Sequence, residues 1–221
     1  MHRTRIKICC IQSVEEARLA IAQGADALGL VGTMPSGPGP IEDARIATIA
    51  ARVPPPIATF LLTSETETEA IIAHARRCRT NTVQLVDRVA DKAWPRLRQA
   101  LPGIKLVQVI HVGGEDVFAQ AVAAAAHADA LLLDSGQPHA AIKVLGGTGR
   151  VHDWTVSHRI VEAVPCPVLL AGGLRADNVG AAIATVRPFR VDVCTGVRRA
   201  DDYSLDPEKL AAFVAAVAAA A

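Results

Sequence analysis

The sequence predicts an α/β fold, a single-domain closed (β/α)8 barrel, and three observations point there. Short apolar runs of strand character alternate with longer segments of helical period, eight of each, and such alternation implies parallel strands joined by right-handed crossovers. Two strand segments echo one another, GADALGL at 24–30 and HADALLLD at 127–134, as repeated β/α units would. The 221 residues, 51% of them hydrophobic, suffice for one sizeable core near the small end of such barrels. An open, doubly wound sheet is the alternative, and no stretch reads as a linker between domains.

Strands are expected at Arg5–Cys10, Asp26–Val31, Ile57–Leu62, Thr82–Val86, Lys105–His111, Ala128–Asp134, Pro167–Ala171 and Arg190–Cys194. Each is a brief, mostly apolar run, as strands buried on both faces require. Helices are expected at Val14–Gln23, Ile41–Arg52, Glu65–Arg77, Asp91–Ala100, Glu115–Ala126, Trp154–Ala163, Asp177–Val186 and Pro207–Ala220. Ser13 and Ser64 stand where N-caps belong, and Asp206-Pro207 places a cap before a proline at the first helical position. The alanine-rich end from Phe213 reads as a terminal packing helix.

Composition narrows the function. A formal charge of +1 and 3% aromatic residues leave no basic or aromatic footprint for nucleic acid, and no run reaches the ~18 apolar residues of a membrane span. The opening MHRTRIKICC has no signal-type cleavage site, and the five cysteines (9, 10, 78, 166, 194) include no CxxC pair. Reduced thiols and a cytoplasmic location are the expectation. The seven histidines show no HExxH spacing, and neither GxGxxG nor a P-loop occurs, so neither metal nor cofactor is expected.

The chemistry concentrates where strands end. The run Ala128–Leu133 stops at Asp134 and enters a loop carrying GGTG at 146–149. A carboxylate there sits at the C-terminal mouth of the barrel, where barrel enzymes keep their active sites, and needs a partner if buried. Capping of the following loop is the competing role. RIKICC ends in two thiols, of which alternation lets one face the lumen; if Lys7 is inward, so is Cys9. A thiol with its pKa lowered by neighbouring cations acts as a base, whereas an ordinary free cysteine is a small core residue. Cys9 and Asp134 together suggest an acid and a base working across one mouth. LAGGL, with Gly172 and Gly173, and CTGV, with Gly196, follow the seventh and eighth strands, the usual place for a phosphate in such barrels. His111 either faces the mouth or is a satisfied structural residue.

KIC at 7–9, GADALGL, VQL at 83–85, ALLLDS at 130–135, GGTGRVHDW at 146–154, LAGGL at 170–174 with Asn178, and VDVCTGV at 191–197 occur in order. Together they resemble the phosphoribosylanthranilate isomerase family, TIM barrels of tryptophan biosynthesis, over nearly the whole chain. The resemblance implies an Amadori rearrangement without cofactor or metal, with Cys9 as general base and Asp134 as general acid. Gly147, Gly172, Gly173, Gly196, Val197, Gln84 and Asp192 then become candidates for holding a phosphorylated sugar amine. The assembly would be a monomer or homodimer.

Several positions depart from the family pattern. Cys10 stands where a glycine is usual, Ser36-Gly-Pro-Gly-Pro40 lacks the usual arginine, Val86 replaces a histidine, and Arg198 replaces an acid. Arg198 is the candidate to replace the lost arginine. The sugar-phosphate end is thus kept and the aglycone end altered. An isomerase acting on a different phosphoribosyl amine, or a non-catalytic phosphometabolite-binding barrel, are the alternatives.

Overall fold

Eight parallel strands close into a barrel in sequence order, each hydrogen-bonded to the next and the last to the first. The computed structural model describes residues 3–114, 116–136 and 152–220. The strands are β1 (Arg5–Ile8), β2 (Ala27–Val31), β3 (Ala58–Thr63), β4 (Thr82–Leu85), β5 (Lys105–His111), β6 (Ala130–Asp134), β7 (Val168–Leu170) and β8 (Arg190–Val193). Between and after them run α1 (Val14–Ala22), α2 (Asp43–Ala50), α3 (Thr68–Cys78), α4 (Ala93–Ala100), α5 (Val117–Ala125), α6 (Trp154–Ala163), α7 (Val179–Val186) and α8 (Pro207–Ala219). Among the described residues no helix is long and apolar enough to cross a membrane.

Strand alternation sorts the apolar residues into two cores. Leu28, Leu30, Leu61, Leu106, Ile110, Leu131, Leu133 and Val191 point outward and pack with the helices. Ala27, Val31, Phe60, Leu62, Val107, Val109, Leu132 and Leu169 point inward and fill the lumen. Both faces are therefore apolar, which explains why the strands read as continuous hydrophobic runs. The inward register also carries Lys7 of β1 and Asp192 of β8, which are ladder partners, and places Asp134 two residues beyond inward Leu132.

Ser13 and Asp206 cap α1 and α8 as expected, each accepting backbone N–H bonds from the first turn. Ser64 does not: α3 begins after Glu67, and Ser64 Oγ donates instead to Thr33 O at 3.0 Å. The first strand stops at Ile8 rather than Cys10, because Cys10 takes a left-handed turn (φ 61°) that no strand accommodates.

Candidate active site

A cavity of about 190 Å³ opens at the C-terminal ends of the strands. Cys9 and Asp134 both line it, one following β1 and the other ending β6. In the ring these strands are separated by β7 and β8 alone, so the Gly172-Gly173 and Thr195-Gly196 loops occupy the arc between them.

Cys9 sits almost directly after β1, its N–H donating to Val193 O at 2.8 Å. A Cβ built on Gly29 of β2 would lie 2.7 Å from Cys9 Sγ and 3.1 Å from Lys7 Nζ, so thiol and ammonium converge on the space that this glycine leaves. Lys7 is fully buried and donates to Asp192 Oδ2 at 2.9 Å. Burial pushes the Cys9 thiol up to about 11, and the nearby Lys7 opposes that shift without cancelling it. Lys7 itself is held above its ordinary value: burial alone would lower it, but Asp192 and Cys9 together outweigh that.

Asp134 accepts from Ser135 N–H at 2.7 Å and is otherwise enclosed. Burial raises its pKa, and the Asp192 carboxylate adds to the rise while the Ser135 amide and His111 oppose it. A carboxyl kept protonated beyond the usual carboxylate range is equipped to donate a proton. His111 itself lies outside the cavity, its Nε2 against Val86 O at 2.9 Å.

Two buried acceptors on the floor have no hydrogen-bond partner among the described residues: Gln84 Oε1 and Asp192 Oδ1. Both residues line the cavity. Unpaired buried oxygens in a cavity floor are the places a ligand hydroxyl or amine fills. Across the mouth, the wall is apolar (Val31, Met34, Leu62, Val86 and Leu132) and Ser36, Gly37 and Pro38 form its rim.

On the remaining side, Gly172 and Gly173 adopt positive φ of 88° and 62°. Gly173 O accepts from Asn178 Nδ2 at 3.0 Å, and Asn178 Oδ1 accepts from Arg175 N–H at 2.8 Å, so Asn178 fastens the loop at the start of α7. Gly196 is dictated by crowding, since any Cβ there would collide with Leu174 O. Arg175 lines the cavity beside these glycines, paired with Asp177 at 3.3 Å.

Three sequence-based expectations need correction. Arg198 does not reach the cavity. It is buried, pairs through Nη1 with Glu16 Oε1 at 2.9 Å, and donates through Nη2 to Cys9 O at 3.0 Å and Cys10 O at 2.6 Å. It braces the turn that carries Cys9. Val197 also faces away, fully buried in the outer core with its N–H on Cys194 O. The cysteines are not all reduced: Cys10 and Cys194 form a disulfide joining the β1 and β8 loops, leaving Cys9, Cys78 and Cys166 free. Gly147 lies outside the described residues.

Lys7, Arg175 and Gly29 were not singled out from sequence as site residues. Arg175 directly follows LAGGL and was the most readable of the three. Lys7 and Gly29 acquire meaning only from the inward register of β1 and β2.

A closed parallel barrel with its cavity at the strands' C-terminal mouth, floored by buried ionisable groups, defines a (β/α)8-barrel enzyme. Comparisons with known proteins sharpen this. Residues 6–216 match the family model described as N-(5'-phosphoribosyl)anthranilate (PRA) isomerase. The N-(5'-phosphoribosyl)anthranilate isomerase of Chromohalobacter salexigens is 39% identical over 98% of this chain and 95% of its own. The phosphoribosyl anthranilate isomerase of Thermotoga maritima superposes with a TM-score of 0.82 at 28% identity, covering 97% of this chain and 98% of that one. A phosphoribosyl anthranilate isomerase in complex with reduced 1-(o-carboxyphenylamino)-1-deoxyribulose 5-phosphate gives 0.79 at 26%, with the same coverage. The chain belongs to the N-(5'-phosphoribosyl)anthranilate isomerase family, and is an isomerase of aldose–ketose type.

Proposed function

We propose that this enzyme converts N-(5'-phosphoribosyl)anthranilate to the corresponding 1-amino-2-ketose phosphate by an Amadori rearrangement, with Asp134 as general acid and Cys9 as general base. The observation that carries the assignment is the shared cavity: a buried carboxyl and a buried thiol line it, with glycine loops in the arc between them.

In this reading the phosphate rests on the backbone of Gly172, Gly173 and Gly196, with Arg175 beside it. That contact is remote from the reacting carbons, and its binding energy holds the sugar between acid and base. Asp134 protonates the ring oxygen, and the ring opens to a Schiff base. Cys9 as thiolate then removes the proton from C2, giving an enol that becomes the ketose. Lys7 stabilises the thiolate, and the free oxygens of Gln84 and Asp192 accept from the sugar hydroxyls or the amine. The aromatic ring lies along Val31, Met34, Leu62 and Val86. In this reading the enzyme acts in the cytoplasm.

Rescue of a tryptophan auxotroph lacking this step, together with loss of anthranilate-type fluorescence on turnover in vitro, tests the assignment. Cys9→Ser and Asp134→Asn are each expected to abolish both, and full activity in either would overturn it. A specific observation supports a second reading, the same chemistry on another phosphoribosyl amine: the rim at 36–38 contributes serine, glycine and proline, with no cation for a carboxylate. Turnover of a non-carboxylated aryl analogue faster than the anthranilate compound would favour it.

A further inference from the structure

We propose that Asp43, His74 and Cys78 form a second ligand site, away from the catalytic cavity, that binds one borderline-soft divalent cation, with zinc the best match for its donors. The three side chains come from α2 and α3, which pack side by side, and their donor atoms all lie within 4.8 Å of one another. His74 and Cys78 are four residues apart on α3 and therefore share a helix face, while Asp43 opens α2 opposite them. One imidazole nitrogen, one sulfur and one carboxylate oxygen make a mixed set that zinc accepts in tetrahedral geometry with a fourth position left to water.

The surrounding groups leave the right atoms pointing inward. Arg77 Nε takes Asp43 Oδ2 at 2.7 Å, so Oδ1 is the oxygen facing His74 Nε2, at 3.1 Å. On the other side of the ring, His74 Nδ1 meets Thr63 Oγ1 at 2.8 Å. An imidazole held at one nitrogen by an oxygen and presenting the other is the outer-shell arrangement that metal-bound histidines use. Gly32 makes room for this ring, because a Cβ there would stand 2.5 Å from Cε1 and 2.6 Å from Nε2. His74 and Cys78 are buried while Asp43 is partly exposed, which gives a cation one way in.

Donors around a tetrahedral zinc stand roughly 3.5 Å apart for bonds of about 2.0–2.3 Å. The cluster therefore needs to contract by about an ångström at its widest, within the reach of rotamer adjustment in Cys78 and Asp43. Binding replaces the Cys78 thiol proton with the metal and releases that proton, and no change of oxidation state is involved. His74 moves its N–H to Nδ1, where Thr63 Oγ1 accepts it. The His74-x3-Cys78 spacing is weak evidence in the sequence, and the third ligand, 31 residues earlier, is brought in only by the packing of α2 on α3.

Titrating the full-length protein with Co2+ tests the site. One equivalent should give a thiolate-to-cobalt charge-transfer band and intense four-coordinate visible bands, and Zn2+ should displace it and raise the thermal midpoint. Cys78→Ser should lose the charge-transfer band, and Asp43→Asn, which keeps the side chain's shape, should weaken Zn2+ binding at least tenfold. Absence of a thiolate band at millimolar Co2+, its persistence in Cys78→Ser, or unchanged Zn2+ affinity in Asp43→Asn would each overturn the proposal.

Discussion

Lys7 and Asp192 form a buried ion pair across the β1–β8 seam, Nζ to Oδ2 at 2.9 Å, with Lys7 Nζ converging with the Cys9 thiol on Gly29. A buried charge left without its partner is costly, so Lys7→Met should destabilise the fold by about 3–5 kcal/mol in urea titration. The double variant Lys7→Met/Asp192→Leu removes both charges and should recover most of that loss. Activity should not return with stability, because the proposed mechanism loses both the cation beside the thiolate and the Asp192 oxygen that accepts from the substrate. Recovery of kcat in the double variant would show that Lys7 serves the fold and not the thiol.

The pKa directions at Cys9 and Asp134 give an unusual pH profile. In the proposed mechanism the working form needs a Cys9 thiolate, whose thiol burial pushes up to about 11, together with a protonated Asp134 carboxyl, whose pKa burial also raises. While the carboxyl stays protonated, activity rises with pH as thiolate forms. Where the carboxyl ionises before the thiol, each gain in thiolate is matched by an equal loss of protonated carboxyl, so kcat/KM is flat. It falls only once both groups have ionised. A kcat/KM that declines between pH 8 and 10 would contradict the assignment. Alkylation of Cys9 in the free enzyme, followed by mass spectrometry, should be slow at neutral pH and accelerate about tenfold per pH unit.

Gly29 is required by space, not by backbone conformation. In Gly29→Ala the new methyl would meet Cys9 Sγ at 2.7 Å and Lys7 Nζ at 3.1 Å, and both must move. Overpacking of this kind costs about 1–3 kcal/mol, and a displacement near 1 Å at the proposed base costs about 10²-fold in rate. The variant should therefore fold, bind product with near-normal affinity, and lose most of its kcat.

The contrast between what the sequence revealed and what it hid follows from physical range. The eight β/α units were legible because burial on both faces writes itself into each strand as an unbroken apolar run, as in Ala130–Asp134. Asp134 stood out because a carboxylate at the end of an apolar strand has no packing purpose. Cys9, by position an ordinary small core residue as readily as a base, was marked out by the family resemblance. Arg198 was misread because its charge was visible and its partners were not: Glu16 lies 182 residues away, and the Cys9 and Cys10 carbonyls carry no side-chain signal. Cys10 illustrates the same limit. Its φ of 61° explains the glycine usual at that position, and the Cys194 sulfur that holds it there is 184 residues distant.

That disulfide ties the turn bearing Cys9 to the loop bearing Gly196. Reduction should lower stability by about 2–4 kcal/mol, the usual contribution of a native bridge. Cys10→Ser/Cys194→Ser should reproduce the effect of reductant and make the protein insensitive to it. Because Thr195 and Gly196 directly follow Cys194, the freed loop should weaken substrate binding more than it slows the chemistry, raising KM with a smaller change in kcat. A reductant-independent melting temperature in the parent protein would show that the bridge carries no stability.

Arg175 offers the cleanest separation of binding from chemistry. Arg175 lines the cavity beside Gly172 and Gly173 yet its side chain is half exposed, and its partner Asp177 is more exposed still. A cation placed there attracts a phosphate dianion, but water and salt weaken the attraction over a Debye length of about 8 Å at physiological ionic strength. Arg175→Ala should therefore raise KM about three- to tenfold at low salt and leave kcat within about twofold, because the backbone of Gly172, Gly173 and Gly196, proposed to hold the phosphate, is left in place. The difference from the parent enzyme should shrink as salt is added. Inorganic phosphate should inhibit the variant less strongly than the parent. Equal inhibition of the two enzymes at low salt would move the phosphate away from the Gly172-Gly173 loop.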